Sequence, residues 1–207
     1  MFKFIKNRTH SLEFQELIAS LIFFYFFPIL MLAYGIIPKE ASHAILVTMS
    51  LIMVAYAISK PISLKELGFR KDNLRSALLY QGILTLVFIV ALFVISKSGL
   101  IQPKYFEESA IFYLFYIFLS APLQEFVFRS LMFRELNIFF KKDWFKILLS
   151  AIIFAFGHYA YRDVSVLGLT FAAGLFWGYI YLKKPNFWAV AISHAIVGAV
   201  TVFLGYV

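Results

Sequence analysis

The sequence predicts an all-α fold: a polytopic membrane helix bundle of about seven (seven to eight) transmembrane helices, N-terminus cytoplasmic. Three observations carry this. Hydrophobic residues make up 62% of the 207 and charged residues 14%, against roughly 45–50% and about 25% in soluble domains. Too few polar side chains remain to coat a globule, so lipid must solvate much of the surface. Seven stretches approach the ~20 apolar residues that cross a bilayer core at about 1.5 Å each. The basic residues fall in short pieces between these stretches, with a strong bias to alternate connections.

The first stretch, Leu17 to Ile37, follows a basic N-terminal segment. It exceeds the roughly 7–15-residue apolar core of a signal peptide, so it reads as a retained helix. Ala41 to Ser59, Ser76 to Ser96 and Ser109 to Phe128 follow. The fifth, Ile147 to Tyr161, is only fifteen residues between Lys146 and Arg162. It must extend past its flanking charges or enter without fully crossing. Val164 to Leu182 and Phe187 to Val207 complete the set. With the N-terminus inside, fourteen of the nineteen Lys and Arg residues lie on the cytoplasmic side. Four lie outside (Lys39, Lys97, Lys104 and Arg162), and Arg129 falls near the end of the fourth stretch. This bias predicts N-in, C-out.

The formal charge of +8 is thereby used up in orientation, and no basic face for nucleic acid is left. Cysteine is absent, which excludes disulfides, thiolate nucleophiles and thiolate metal sites. No composition shift, linker, low-complexity tract or repeat divides the chain, so residues 1–207 read as a single integral membrane domain. Small size and the Phe, Ile and Lys bias suit the inner membrane of a prokaryote.

An ionisable group inside a span costs at least a few kcal/mol, so it usually faces the bundle interior and serves a function. Four stand out. Glu125 and Arg129 are four apart on the fourth stretch, hence on one helical face and able to pair. His158 lies in the fifth stretch and His194 in the seventh. At ~1.5 Å per residue His158 is ~18 Å beyond Lys146 and His194 ~15 Å beyond Lys184, while Glu125 is ~14–24 Å from the cytoplasmic end of its helix. All three can meet near mid-membrane. The bland readings are that a single span histidine satisfies an interhelical hydrogen bond and that a Glu–Arg pair ties two helices together; convergence at one depth favours a site. His10 and His43 sit at span edges and read as interfacial. Gly174 and Gly178, with Ala173 adjacent, form a small-residue surface for close helix packing.

These residues resemble the motifs of the CPBP family, the CAAX-protease and bacteriocin-processing (Abi) intramembrane proteases that include the Rce1-type CAAX prenyl endopeptidases. That family shows EExxxR on one helix, FxxxH on a later one, and a glycine-patterned helix followed by HxxxN. Gln124-Glu125-Phe126-Val127-Phe128-Arg129 answers the first motif and Phe154-Ala155-Phe156-Gly157-His158 the second. Phe171, Gly174, Gly178 and Tyr181 then precede Ile192-Ser193-His194. Leu67-Gly68-Phe69-Arg70 looks like the family's habitual entry to its third helix. The family-like core spans about residues 64–203. Two positions depart from the pattern: Gln124 stands for the first glutamate and Gly198 for the asparagine of HxxxN.

The resemblance implies a glutamic-type intramembrane endopeptidase acting on a membrane-associated substrate, either prenylated, lipidated or leader-bearing. In the family the first glutamate activates water, and the last helix's His and Asn polarise the scissile carbonyl. Glutamine cannot act as a general base and glycine offers no side-chain donor. Glu125 is then the base, with His158 sharing the water or shuttling its proton. His194 stabilises the oxyanion and Gln124 donates through its amide in place of the asparagine. No cofactor is expected. Zinc at Glu125, His158 and His194 is the chemical competitor, though the compact HExxH arrangement is missing. The same two departures keep a second class open: a catalytically impaired relative that binds membrane proteins or lipids as a scaffold or regulator. A transporter would show inverted repeats or paired broken helices, and the sequence has neither.

Overall fold

The structure, a computed structural model, describes residues 13–104 and 108–206. The basic N-terminal residues Lys3, Lys6 and Arg8, with His10, lie outside the described residues, as does Val207. The described residues form an all-α polytopic bundle in which six helices are long and apolar enough to cross a membrane: α1 (Glu13–Ala33), α2 (Lys39–Ser59), α3 (Leu74–Ser98), α4 (Ala110–Phe139), α5 (Asp143–Tyr161) and α6 (Val164–Lys183). The last, α7 (Phe187–Phe203), is equally apolar but only 17 residues long, at the lower limit of a spanning helix. The seventh stretch therefore ends short of Val207. Gly205, with φ +75°, turns the chain after it and accepts a hydrogen bond from the Lys104 N–H at 2.6 Å.

Helix ends follow from local chemistry. Ser109 accepts the Phe112 N–H at 3.1 Å and starts α4. Asp163 accepts the Ser165 and Val166 N–H groups and starts α6, and Asn186 accepts the Ala189 N–H and starts α7. Each satisfies donors that a helix start leaves unpaired. The short fifth stretch lengthens backward through Lys146 to Asp143, because the charges there find partners. Lys146 Nζ lies 2.7 Å from Asn137 Oδ1 and 3.0 Å from Asp143, and Lys183 also meets Asp143 at 3.0 Å. Helix α4 likewise runs on past Phe128 to Phe139. It contains two π-helical segments, Tyr116–Ser120 and Phe126–Leu131, which shift the helix phase on either side of Pro122 and Glu125. Such insertions are frequent at functional sites.

Packing brings α7 against α3 and the middle of α4, and α5 against α6. The glycines permit close approach to α6: a Cβ on Gly174 would come within 3.0 Å of the Ala151 Cα of α5, and one on Gly178 within 3.2 Å of the Phe133 ring of α4. The Leu67–Arg70 segment locks the opposite margin. The Gly68 carbonyl accepts the Phe187 N–H at 2.8 Å, the Tyr181 hydroxyl donates to the Leu67 carbonyl, and Asn186 donates to the Arg70 carbonyl. Gly68 adopts φ +81°, and a Cβ there would strike the Tyr181 hydroxyl. Glycine is thus required on both counts. This clamp sets the start of α7, seven residues before His194.

Candidate active site

Glu125 has no solvent exposure, and neither has Arg129. Their four-residue spacing on α4 places the Arg129 Nε 3.3 Å from Glu125 Oε2. The contact is an ion pair by distance, but its angle makes no hydrogen bond: Oε2 and all three guanidinium nitrogens lack a hydrogen-bond partner among the described residues. The charge is held instead by aromatic faces. The guanidinium carbon sits 4.2 Å from the centre of the Phe154 ring and 5.6 Å from that of Trp177, where ring quadrupoles stabilise a cation. The buried polar atoms left over are those that water or a substrate group normally satisfies.

The other carboxylate oxygen meets α7. His194 Nδ1 and Glu125 Oε1 are 2.7 Å apart, both buried. The length is that of a charge-assisted bond, and it orients the imidazole so that Nε2 points away from the glutamate. Trp177 stacks on the same ring at 4.7 Å and donates its indole N–H to Ser193 Oγ at 2.9 Å. Ser193 in turn shares a 2.7 Å hydrogen bond with Thr85 of α3. The His194 ring is thereby braced from α3, α4 and α6.

His158 comes from α5. It terminates the α-helical part of α5, and its Nδ1 lies 3.0 Å from the Phe154 carbonyl. A carbonyl only accepts, so Nδ1 carries a proton and the neutral ring offers Nε2 as an acceptor. The Phe154 ring packs edge-on against both imidazoles, 4.9 Å from His158 and 5.6 Å from His194. The structure thus brings Glu125, Arg129 and His194 into contact, with the Phe154 ring packed against both His194 and His158. Gln124, partly buried, donates its amide N–H back to Ser120 on its own helix at 3.0 Å, away from the His194 pair. Among the described residues no group of three or more His, Asp or Glu side chains gathers as a metal-binding set. His43 stays at the edge as an aromatic partner of Phe112 and Phe115.

Trp177, Ser193 and Thr85 are site residues that sequence reasoning missed. Trp177 did leave a signal. Tryptophan favours membrane interfaces, as Trp144 and Trp188 do near the starts of α5 and α7, whereas Trp177 lies deep in α6, where its N–H demands a partner.

Six long apolar helices enclosing a fully buried Glu–Arg–His cluster define an integral membrane protein with an intramembrane ionisable site. A sequence model of the Rce1-like family, described as type II CAAX prenyl endopeptidase Rce1-like, matches residues 106–200, a segment that contains all of these groups. Over that segment the chain is similar to the CAAX-protease family of intramembrane endopeptidases, in agreement with the CPBP motifs. No curated protein and no solved structure matches it.

Proposed function

We propose that this protein is an intramembrane endopeptidase that hydrolyses a peptide bond of a membrane-associated substrate through a water activated by Glu125. The observation that carries the reading is the buried hydrogen bond between Glu125 and His194 beside the Arg129 guanidinium. Glu125 Oε2, free of hydrogen bonds among the described residues, accepts the proton of the attacking water, whose oxygen adds to the scissile carbonyl carbon. Arg129 offsets the charge of the resting carboxylate. His194, fixed through Nδ1, presents Nε2 to the substrate, and His158 accepts a hydrogen bond from the attacking water through its own Nε2. Glu125 finally returns the proton to the departing amine nitrogen as the C–N bond breaks.

A prenyl or acyl chain on the substrate fits the surroundings. A cavity of about 420 Å³ lies between α2, α4 and the Leu67–Phe69 segment, and all of its lining residues are apolar, including Pro122, Leu123 and Phe126 on the turns that flank Glu125. A hydrocarbon tail seated there would hold the adjoining peptide beside the carboxylate. The bias of fourteen cytoplasmic to four external basic residues supports an N-in, C-out arrangement.

The test is cleavage of quenched peptides, with and without a C-terminal S-farnesyl cysteine motif, by purified protein in lipid–detergent micelles. Glu125→Gln should abolish cleavage, and unchanged activity in that variant would refute the mechanism. EDTA should leave the rate unaltered; loss that zinc restores would assign Glu125, His158 and His194 to a metal. Gln124, occupied with Ser120, favours a second reading, a catalytically impaired scaffold. An inert native protein beside an active Gln124→Glu variant would establish it.

A further inference from the structure

The last helix carries Gly198 one turn beyond His194, on the same face. That position is filled from another helix. A Cβ built on Gly198 would land on the Tyr116 hydroxyl, with the ring carbon bearing it 2.5 Å away and the next ring carbon 2.8 Å away. Any residue other than glycine at 198 would therefore expel the phenol. Tyr116 opens the first π-helical segment of α4, nine residues before Glu125, and its ring lies edge-on to His194 with centroids 6.1 Å apart. Phe112, one turn earlier, stacks on the ring and fixes its plane. No group among the described residues hydrogen-bonds the hydroxyl, which leaves an O–H donor beside the imidazole. A purely space-filling role needs only the ring, and phenylalanine would serve it.

We propose that the Tyr116 hydroxyl is a catalytic hydrogen-bond donor to the carbonyl oxygen of the scissile bond, entering the His194 face through the gap at Gly198. The inference rests on the endopeptidase reading above. It explains how a chain with glycine where its relatives carry asparagine retains a second donor for the oxyanion: the donor has moved from α7 to α4. Charge that develops on the carbonyl oxygen as water adds is then shared between the phenolic O–H and the Nε2–H of a His194 imidazolium whose Nδ1–H stays on Glu125.

The experiment compares native protein with Tyr116→Phe, Tyr116→Leu and the double variant Tyr116→Leu/Gly198→Asn, with Glu125→Gln as the inactive control. Kinetics on the farnesylated peptide are followed together with the thermal midpoint. Tyr116→Phe keeps the ring and the fold, so kcat should fall by about 100- to 1,000-fold with KM within about twofold, the signature of a lost oxyanion donor. Tyr116→Leu opens the space, and adding Gly198→Asn to it should recover at least about tenfold of the loss by returning a donor to α7. A Tyr116→Phe enzyme as active as the native one, while Glu125→Gln is dead, would overturn this proposal and leave the endopeptidase reading intact. A native protein that cleaves nothing would remove both.

Discussion

Arg129 offers the sharpest test of what holds the buried cluster together. Its side chain is fully enclosed, it neutralises Glu125 at 3.3 Å, and its guanidinium lies over the Phe154 and Trp177 rings. Arg129→Met keeps much of the volume but strands a carboxylate with no cation near it. Breaking a buried pair from one side costs about 3–5 kcal/mol, and the lost cation–π contacts add about 0.5–2 kcal/mol. For a chain of this size each kcal/mol shifts the midpoint by roughly 2–4 °C, so a total of about 3.5–7 kcal/mol should make the single variant unfold roughly 7–28 °C below the native protein. Glu125→Gln/Arg129→Met removes both charges, and its amide oxygen can still accept from His194 Nδ1. Most of the loss should return, because replacing a whole buried pair is often neutral. Thermal unfolding in detergent, read by near-ultraviolet circular dichroism, measures the full cycle. A double variant as unstable as Arg129→Met would show that the guanidinium acts through packing alone, and the electrostatic account of the site would be wrong.

Three further outcomes follow from other parts of the molecule. Leu123→Trp places a larger ring in the apolar cavity beside Glu125; KM for the farnesylated peptide should rise about tenfold while the non-prenylated peptide is affected little, and equal effects on both would argue against a hydrocarbon site there. Gly68→Ala forces a side chain into the left-handed region against the Tyr181 hydroxyl, which should cost about 1–3 kcal/mol in the same unfolding assay; an unchanged midpoint would mean that the clamp on α7 is loose. On the connection before α3, the Arg70 guanidinium bonds Asp72 and lowers its carboxyl from 3.8 to about 2. The folded value is depressed, so the stabilisation is present above about pH 4 and is lost as pH falls through about 2. A carbon-13 titration should show that midpoint, and Arg70→Gln should return it toward 3.8.

Much of this architecture is legible in the sequence because lipid imposes simple rules. Hydropathy alone locates the seven helices, and a charged pair at four-residue spacing inside one of them marks the site, since a bilayer tolerates such groups only in the bundle interior. What stays hidden depends on local phase and on partners distant in sequence. The fifth stretch reads as short because Lys146 and Asp143 resemble boundaries, yet paired with each other and with Asn137 and Lys183 they extend the helix. Depth along straight helices puts His158 level with Glu125 and His194, but depth says nothing of azimuth, and that the Phe154 ring packs against both imidazoles is visible only in the structure. Gln124 adjoins Glu125 in sequence and so reads as a replacement for the missing asparagine; adjacent residues on a helix point about 100° apart, and its amide instead turns along the axis to Ser120. Gly198 is the instructive position. Read along the chain it is a deletion of function, a donor lost from α7. In space it is an opening, and Tyr116, 82 positions earlier on α4, fills it. A motif records which side chain a helix contributes. Whether a hydrogen-bond donor is present is settled by the volume beside His194, which three other helices shape.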